Sequence, residues 1–368
     1  MPQSRIRSRR LPLLLLSAPL IVAACGSSDS GSASTTAAPT AASTTSMLEQ
    51  AATPCSGASG SITVYSGRSE ALVAQLLVDF TTATGVKVEV RYGDSGELAG
   101  QIITEGKASP TDVFLSQDAG ALGAVESAGL LAVLETSTLD RVPSAYRSAT
   151  GSWVGASGRV RVIIYNPGLA ATPPTTIDEL IAPQWSGKIG FAPTNASWQS
   201  FVTALRVLRG EDGARTWLTA FAANKPVAFE KNSAVRDAVN KGEVALGLIN
   251  HYYLYELVAA EGADAVVARN QFLAAGDPGG LVNVAGAGVL GTSDNAQGSQ
   301  CFASYLVSDA AQQYFVTKTY EYPLVPGIPA ADGLPALAAL NPPAVDLSDL
   351  RSIADTQELL SDIGLLNK

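Results

Sequence analysis

Across 368 residues the chain has one His, three Cys and two Met, and only 15% of its residues are charged. A single His makes His-based zinc sites and Ser-His-Asp triads hard to build. No Walker A sequence, CxxC, HExxH or GxSxG elbow appears, and Gly155-Ala156-Ser157-Gly158 lacks the elbow's spacing. The chain therefore does not read as an enzyme. It is 46% apolar, yet no central run reaches the roughly 20 apolar residues that a membrane span needs, which excludes a multi-pass transporter. Basic residues are also short: 24 Lys+Arg against 33 Asp+Glu give a net charge of −9. An acidic surface repels phosphate backbones, so nucleic acid is not the expected partner. The length suffices for a large core split between two domains.

The first 24 residues read as an address. Arg5, Arg7, Arg9 and Arg10 form a basic start, and Leu11 to Val22 form an apolar stretch broken by Pro12 and Pro19. Val22-Ala23-Ala24-Cys25 then resembles a bacterial lipobox, in which the Cys is lipidated and becomes the new N-terminus. The alternative is an ordinary secretory signal with a chance Cys. Loss of this leader removes four Arg and no acid, which takes the net charge to −13. Acyl chains contribute roughly 0.8 kcal/mol per buried CH₂, so several make a stable anchor on the outer face of the cytoplasmic membrane.

Residues 25–54 read as the lipidated Cys and a flexible linker. In the tract 26–46, 19 of 21 residues are Gly, Ser, Thr or Ala. Such a tract cannot bury enough apolar surface to offset its ordering entropy. Its r.m.s. reach is about 25 Å for ~21 residues. With Cys25 lipidated and the chain exported, Cys55 and Cys301 remain for a disulfide. Two buried free thiols are the alternative. By the loop-entropy model so long a closure contributes at most about 5 kcal/mol.

From residue 61 onward strand and helix patterns alternate. Ile62 to Tyr65 is a strand. Ser69 can cap a helix with apolar positions Leu72, Val73, Leu76, Leu77 and Phe80, ending at Gly85. Val86 to Arg91, Asp112 to Leu115, Arg159 to Tyr165, Lys188 to Phe191, Val244 to Ile249 and Ala285 to Leu290 read as further strands with helices between them. This predicts α/β architecture with a mostly parallel sheet. No repeat of 20–50 residues appears. Gly, Pro and Ser cluster at 150–158 and 276–280. These are candidate crossings between two lobes, where small residues suit a hinge. Two rigid domains without a hinge are the alternative.

The adjacent Tyr252 and Tyr253 fall where the strand ending at Ile249 turns into a helix. The crevice beyond strand C-termini is the usual ligand site of such sheets. At a helix start the two rings lie about 100° apart, so both phenols can reach one cleft. Phenolate is a hard, charged donor that suits ferric iron. Taken alone, two neighbouring Tyr are more often packing residues. His251 reads as a satisfied structural residue, Asp118 as a possible extra carboxylate, and Tyr65 and Tyr255 as packing.

Several segments resemble the bacterial ferric-iron-binding proteins, the so-called bacterial transferrins. They are Ile62-Thr63-Val64-Tyr65-Ser66-Gly67-Arg68, Leu98 to Gln101, Pro110 to Phe114, Ser157 to Val162, Pro193 to Ser197, Lys231 to Ser233, Asn250 to Tyr253, Asp277 to Gly279 and Glu321 to Leu324. They are collinear and cover residues 61–326. The resemblance implies a two-lobed periplasmic-binding-protein-like fold with a hinge. It implies a monomeric substrate-binding component that delivers Fe3+ to an ABC permease. Lobe 1 is expected at 55–157 plus 284–326 and lobe 2 at 158–283, with 327–368 packing on both.

Carried over by position, the family's iron-binding tyrosines fall on Tyr252 and Tyr253. Its anion loop falls on Thr194 to Ser197, including Asn195 and Ser197. Supporting polar groups fall on Arg159, Asn232 and Asn250. Three protein ligands found in some members are missing, since Ser69, Gln117 and Trp198 stand where those members have His, Glu and Tyr. Two phenolates leave an octahedral ferric ion with open positions, which carbonate, citrate, phosphate or water must fill. Arg68 and Arg159 are suited to hold that anion bidentately, with backbone N–H donors at the helix after Asn195. As bland alternatives the arginines form salt bridges and Asn195 only caps its helix. A solute-binding protein for an oxyanion or small carboxylate without metal is the rival reading. An adhesion or sensor module on the same fold is a third.

Overall fold

The computed structural model describes residues 55–366. The leader, Cys25 and the linker through residue 54 lie outside the described residues. Among the described residues, 55–366, no helix is long and apolar enough to cross a membrane.

The first elements are β1 (Ser61–Ser66), α1 (Glu70–Thr84), β2 (Lys87–Tyr92), α2 (Ser95–Glu105), β3 (Val113–Ser116), α3 (Ala119–Ser127) and α4 (Thr136–Leu139). Next come β4 (Trp153–Tyr165), α5 (Ile177–Leu180), β5 (Ile189–Phe191), α6 (Ala196–Ala223), β6 (Val227–Ala228) and α7 (Asn232–Lys241). They are followed by β7 (Leu246–Asn250), α8 (Tyr252–Glu261), β8 (Arg269–Gln271) and β9 (Val282–Val289). Last are α9 (Ala296–Leu306), α10 (Asp309–Tyr314), β10 (Tyr322–Pro323) and α11 (Ile353–Asp362). The helical spacing read in α1 buries Val73, Leu76, Leu77 and Phe80, and Gly85 ends it at φ 77°, a left-handed conformation that suits glycine. α6 is kinked at Gly210, which turns to φ 71°.

The strand order is β2-β1-β3-β9-β4-β7-β5-β6. The sheet is mixed rather than mostly parallel. β1 lies parallel to β2 and β3, and β5 lies parallel to β6 and β7. β9 and β4 run antiparallel to each other, β9 is antiparallel to β3, and β4 is antiparallel to β7. The antiparallel pair is what two chain crossings between lobes produce, since one strand leaves and the other returns.

β4 is also longer than its sequence suggests. Its first part, through Val160, pairs with β9, and from Arg161 it pairs with β7. The handover falls at Val160–Arg161, just past the small-residue stretch 150–158. The Gly-rich start reads as a loop but is strand, with a register shift between Gly155 and Ser157. Glycine is needed there, because a Cβ on Gly155 would sit 2.5 Å from the Tyr146 carbonyl oxygen.

Two lobes follow from separate cores. Ile62, Phe80, Phe114, Trp153, Ala287 and Phe302 share one core, while Ile163, Phe191, Trp198, Phe201, Trp217 and Phe221 share another. In the second, Trp217 stacks on Phe221 at 5.1 Å, and Phe191 and Trp198 meet at 5.0 Å. Each such aromatic pair contributes about 0.5–1.5 kcal/mol beyond area burial. Together they anchor α6, at whose N-terminal end Thr194, Asn195 and Ala196 line a cavity. Cys55 and Cys301 are disulfide-bonded, with Cα atoms 4.6 Å apart, which ties the start of the described chain to α9.

The C-terminal segment touches both cores. Leu347 and Leu350 join the first, and Leu359, Leu360 and Leu365 join the second. Arg206 of α6 donates to the Ser352 carbonyl at 3.0 Å and to Thr356 Oγ1 at 2.8 Å.

Candidate metal centre

The end of β7 and the start of α8 set the site. Asn250 closes β7 opposite Arg161 of β4, and His251 already has helical angles. His251 is fully buried and fully partnered. Its backbone N–H donates to the Val160 carbonyl at 2.9 Å, and Nδ1 accepts from Val160 N–H at 3.2 Å. Nε2 then donates to the Tyr320 carbonyl at 2.8 Å. Because Nδ1 accepts, the ring is neutral. Burial pushes its pKa down to about 4 against the partial support of the Tyr320 carbonyl and Glu321. The residue is structural, and it pins the segment that carries the tyrosines.

Tyr252 is buried and Tyr253 half-buried, and their rings stack with centroids 4.3 Å apart at 27°. The two phenols thus share one side of the helix start. Burial holds the Tyr252 phenol well above the usual value of 10; Tyr253 and Glu321 push the same way and Arg159 opposes them. Among the described residues no group of three His, Cys, Asp or Glu is placed to hold a metal. A hard cation here would depend on phenolate oxygen.

Two arginines on β4 face the pair. Arg159 and Arg161 are two residues apart, so strand alternation puts them on one face. Arg159 is 1% exposed, and none of its three guanidinium nitrogens has a hydrogen-bond partner. Its Nε lies 4.0 Å from Glu321. Burial lowers its pKa, Arg68 adds to that, and Tyr252, Glu321 and Asp118 oppose it. A buried charge without hydrogen bonds is expensive unless an anion meets it.

Arg161 was not singled out from sequence, although its i+2 spacing from Arg159 was visible. It donates to Ser197 Oγ at 3.3 Å and to the Leu248 carbonyl at 3.2 Å, and it lies over the Phe201 ring at 5.3 Å. Burial pushes it down to about 9, with Tyr253 opposing.

Arg68 is committed elsewhere. Its Nη1 and Nη2 donate to the two oxygens of Glu321 at 2.9 and 2.8 Å in a fully buried bidentate pair. This corrects the expectation that it holds an anion bidentately: both terminal nitrogens are bound to Glu321, as in the salt-bridge alternative, and Nε is the one guanidinium nitrogen without a partner. Glu321 also accepts from Ser157 at 2.9 Å and Thr319 at 3.0 Å. Burial alone would raise its pKa, but Arg68 and Arg159 hold it below the usual range. Nothing local in the sequence marked Glu321 as their partner, since it lies 253 residues from Arg68.

The polar groups expected at the anion loop come together. Asn195 caps α6, its Oδ1 accepting from Ser197 N–H at 3.0 Å and from Ser197 Oγ at 2.6 Å. Asn232, the first residue of α7, donates from Nδ2 to Asn195 Oδ1 at 3.0 Å and to Ser197 Oγ at 3.2 Å. Its own Oδ1 has no partner. Ser69 sits at the N-cap of α1 but makes no capping bond. It lines a cavity of about 310 Å³ with Gln117, Asn195 and Glu230. Asp118 is spent on α3, accepting from Ala121 N–H at 3.1 Å. Trp198 is fully buried in the aromatic core, so it cannot reach the cleft as a ligand.

Residues 75–342 match the model of the bacterial extracellular solute-binding proteins. The chain is 35% identical to the Fe(3+)-binding periplasmic protein of Serratia marcescens, over 87% of this chain and 95% of that one. Iron-bound HitA from Pseudomonas aeruginosa superposes with a TM-score of 0.78 at 35% identity, covering 83% of this chain and 99% of that one. A Trichodesmium protein in complex with iron and citrate superposes with a TM-score of 0.70 at 31% identity, covering 83% of this chain and all of its own.

Proposed function

Since the chain belongs to the bacterial extracellular solute-binding proteins, with similarity to ferric-iron-binding relatives over most of its length, we propose that it captures Fe3+ between its lobes. The observation that carries this reading is the stacked Tyr252–Tyr253 pair beside a buried Arg159 whose nitrogens lack partners. The two phenolates take the metal. Arg159 takes a synergistic anion (carbonate, citrate or phosphate) that fills coordination positions the protein leaves open. Asn195, Ser197, Asn232 and Asn250 shape the wall next to Tyr253, and Arg161 holds Ser197 in place. Ser69 and Arg68 lie behind this set, Arg68 as the counter-charge of Glu321.

On this reading the lobes divide at 157/158 and 283/284, and the hinge uses β4 and β9. Ligand that touches both lobes favours the closed form through differential affinity. The protein works as a monomer, lipidated at Cys25 on the outer face of the membrane, and hands its cargo to an ABC permease.

The rival reading, binding of an oxyanion or small carboxylate without metal, draws on the same unpartnered Arg159. Calorimetry separates the two. Ferric citrate should bind the purified chain tightly, while citrate or phosphate alone should bind weakly. Micromolar binding of phosphate without metal, together with no heat from ferric citrate, would sink the iron reading in favour of the rival.

A further inference from the structure

Asn283 is the second residue of β9, and it stands directly opposite Arg159 of β4. Opposed residues of an antiparallel pair project from the same face of the sheet. The side chain is 4% exposed. Its amide orientation is not arbitrary: Oδ1 accepts from Ala119 N–H at 3.2 Å and from Val284 N–H at 2.8 Å. Two backbone donors on one side fix which end is oxygen. Nδ2 is therefore aimed away from α3, and no protein group accepts from it. Arg159 and Asn283 thus put two buried donor groups without hydrogen-bond acceptors side by side, one from each strand that crosses between lobes.

The facing acids do not satisfy them. Glu321 is held by Arg68, Ser157 and Thr319, and Asp118 caps α3. Most buried donors are paired, with a protein group, a bound ligand or an ordered water, and two adjacent ones, one of them charged, suit an anion. We propose that Asn283 is an anion-binding residue, whose Nδ2 donates to the same hard oxyanion that Arg159 pairs with. The proposal rests on the ferric–anion reading above and deepens it. It also gives the anion a contact on β9 as well as on β4, so anion binding ties together the two strands that connect the lobes.

The test is an Fe3+ titration of the full chain at rising bicarbonate, citrate or phosphate, read by absorbance, with Asn283→Ser as the variant. The half-saturating concentration of the favoured anion should rise at least tenfold, because a hydrogen bond to a charged group is lost. The Tyr-to-iron absorbance should still form at saturating anion. If Asn283→Ser does not fold, Asn283→Asp keeps the Oδ1 acceptor for Ala119 and Val284 N–H and is read the same way, with a larger loss expected. An unchanged half-saturating concentration in a folded variant overturns the proposal. Wild-type protein that binds no iron, or binds it equally well without any anion, overturns the underlying reading as well, and that outcome is visible before any variant is made.

Discussion

His251 gives a pH dependence that can be worked through. The folded ring titrates at about 4, against an ordinary value of 6.5. Above about pH 7 both folded and unfolded states hold a neutral ring, and His251 contributes no slope. As pH falls through 6.5 the unfolded chain takes up a proton that the folded chain refuses. Stability therefore falls with falling pH, and the loss levels off below about pH 4, where the folded ring also protonates. The gap of about 2.5 units corresponds to roughly 3 kcal/mol in full, and about 2 kcal/mol is already lost at pH 5. Urea unfolding of wild type and His251→Gln at about pH 7.5 and pH 5 isolates this contribution. The Gln variant starts from lower stability, since it loses a ring held by two hydrogen bonds. Its further loss between the two pH values should be smaller than the wild type's by about 2 kcal/mol. Parallel losses would refute the reasoning and mean that the ring is solvated or already charged.

Glu321→Gln should lower stability by about 3–5 kcal/mol, because it leaves Arg68 and Arg159 buried without their carboxylate; an unchanged melting temperature would contradict the buried network. Gly120→Ala should cost about 1–3 kcal/mol, since its Cβ would sit 2.5 Å from the Leu350 carbonyl oxygen; a neutral effect in thermal melts would mean that the C-terminal segment packs less closely on α3. Iron affinity, measured by competition with a chelator, should climb with pH, because each ligating phenol gives up a proton: with two released, about a hundredfold per pH unit. A flat profile would exclude phenolate ligation.

Where a stretch carried its own period, the fold was legible. The buried positions of α1 and its end at Gly85 follow from spacing and helix-end chemistry alone. The mixed sheet was not, because strand direction is set by partners far away in the chain. Neither was the full length of β4, because Gly155 to Gly158 have loop composition and are held in the strand by close backbone approach. β6, β8 and β10 are two or three residues long and leave no periodic trace. α11 was missed because its buried face is short: Thr356, Leu359 and Leu360.

The site divides in the same way. Tyr252 and Tyr253 are adjacent, and Asn195 and Ser197 sit at a recognisable helix start. Glu321, which takes Arg68 away from the cleft, and Asn283, which stands beside Arg159, could be placed only by the register of β4, β9 and β10.

The central claim is that the two phenols hold ferric iron. The most direct measurement is the visible absorbance of the apo-protein on addition of ferric citrate, for wild type, Tyr252→Phe, Tyr253→Phe and the double variant. A phenolate–iron charge-transfer band should appear in wild type at one iron per chain, weaken in each single variant, and vanish in the double variant. No band in wild type, or an undiminished one in the double variant, would contradict the account.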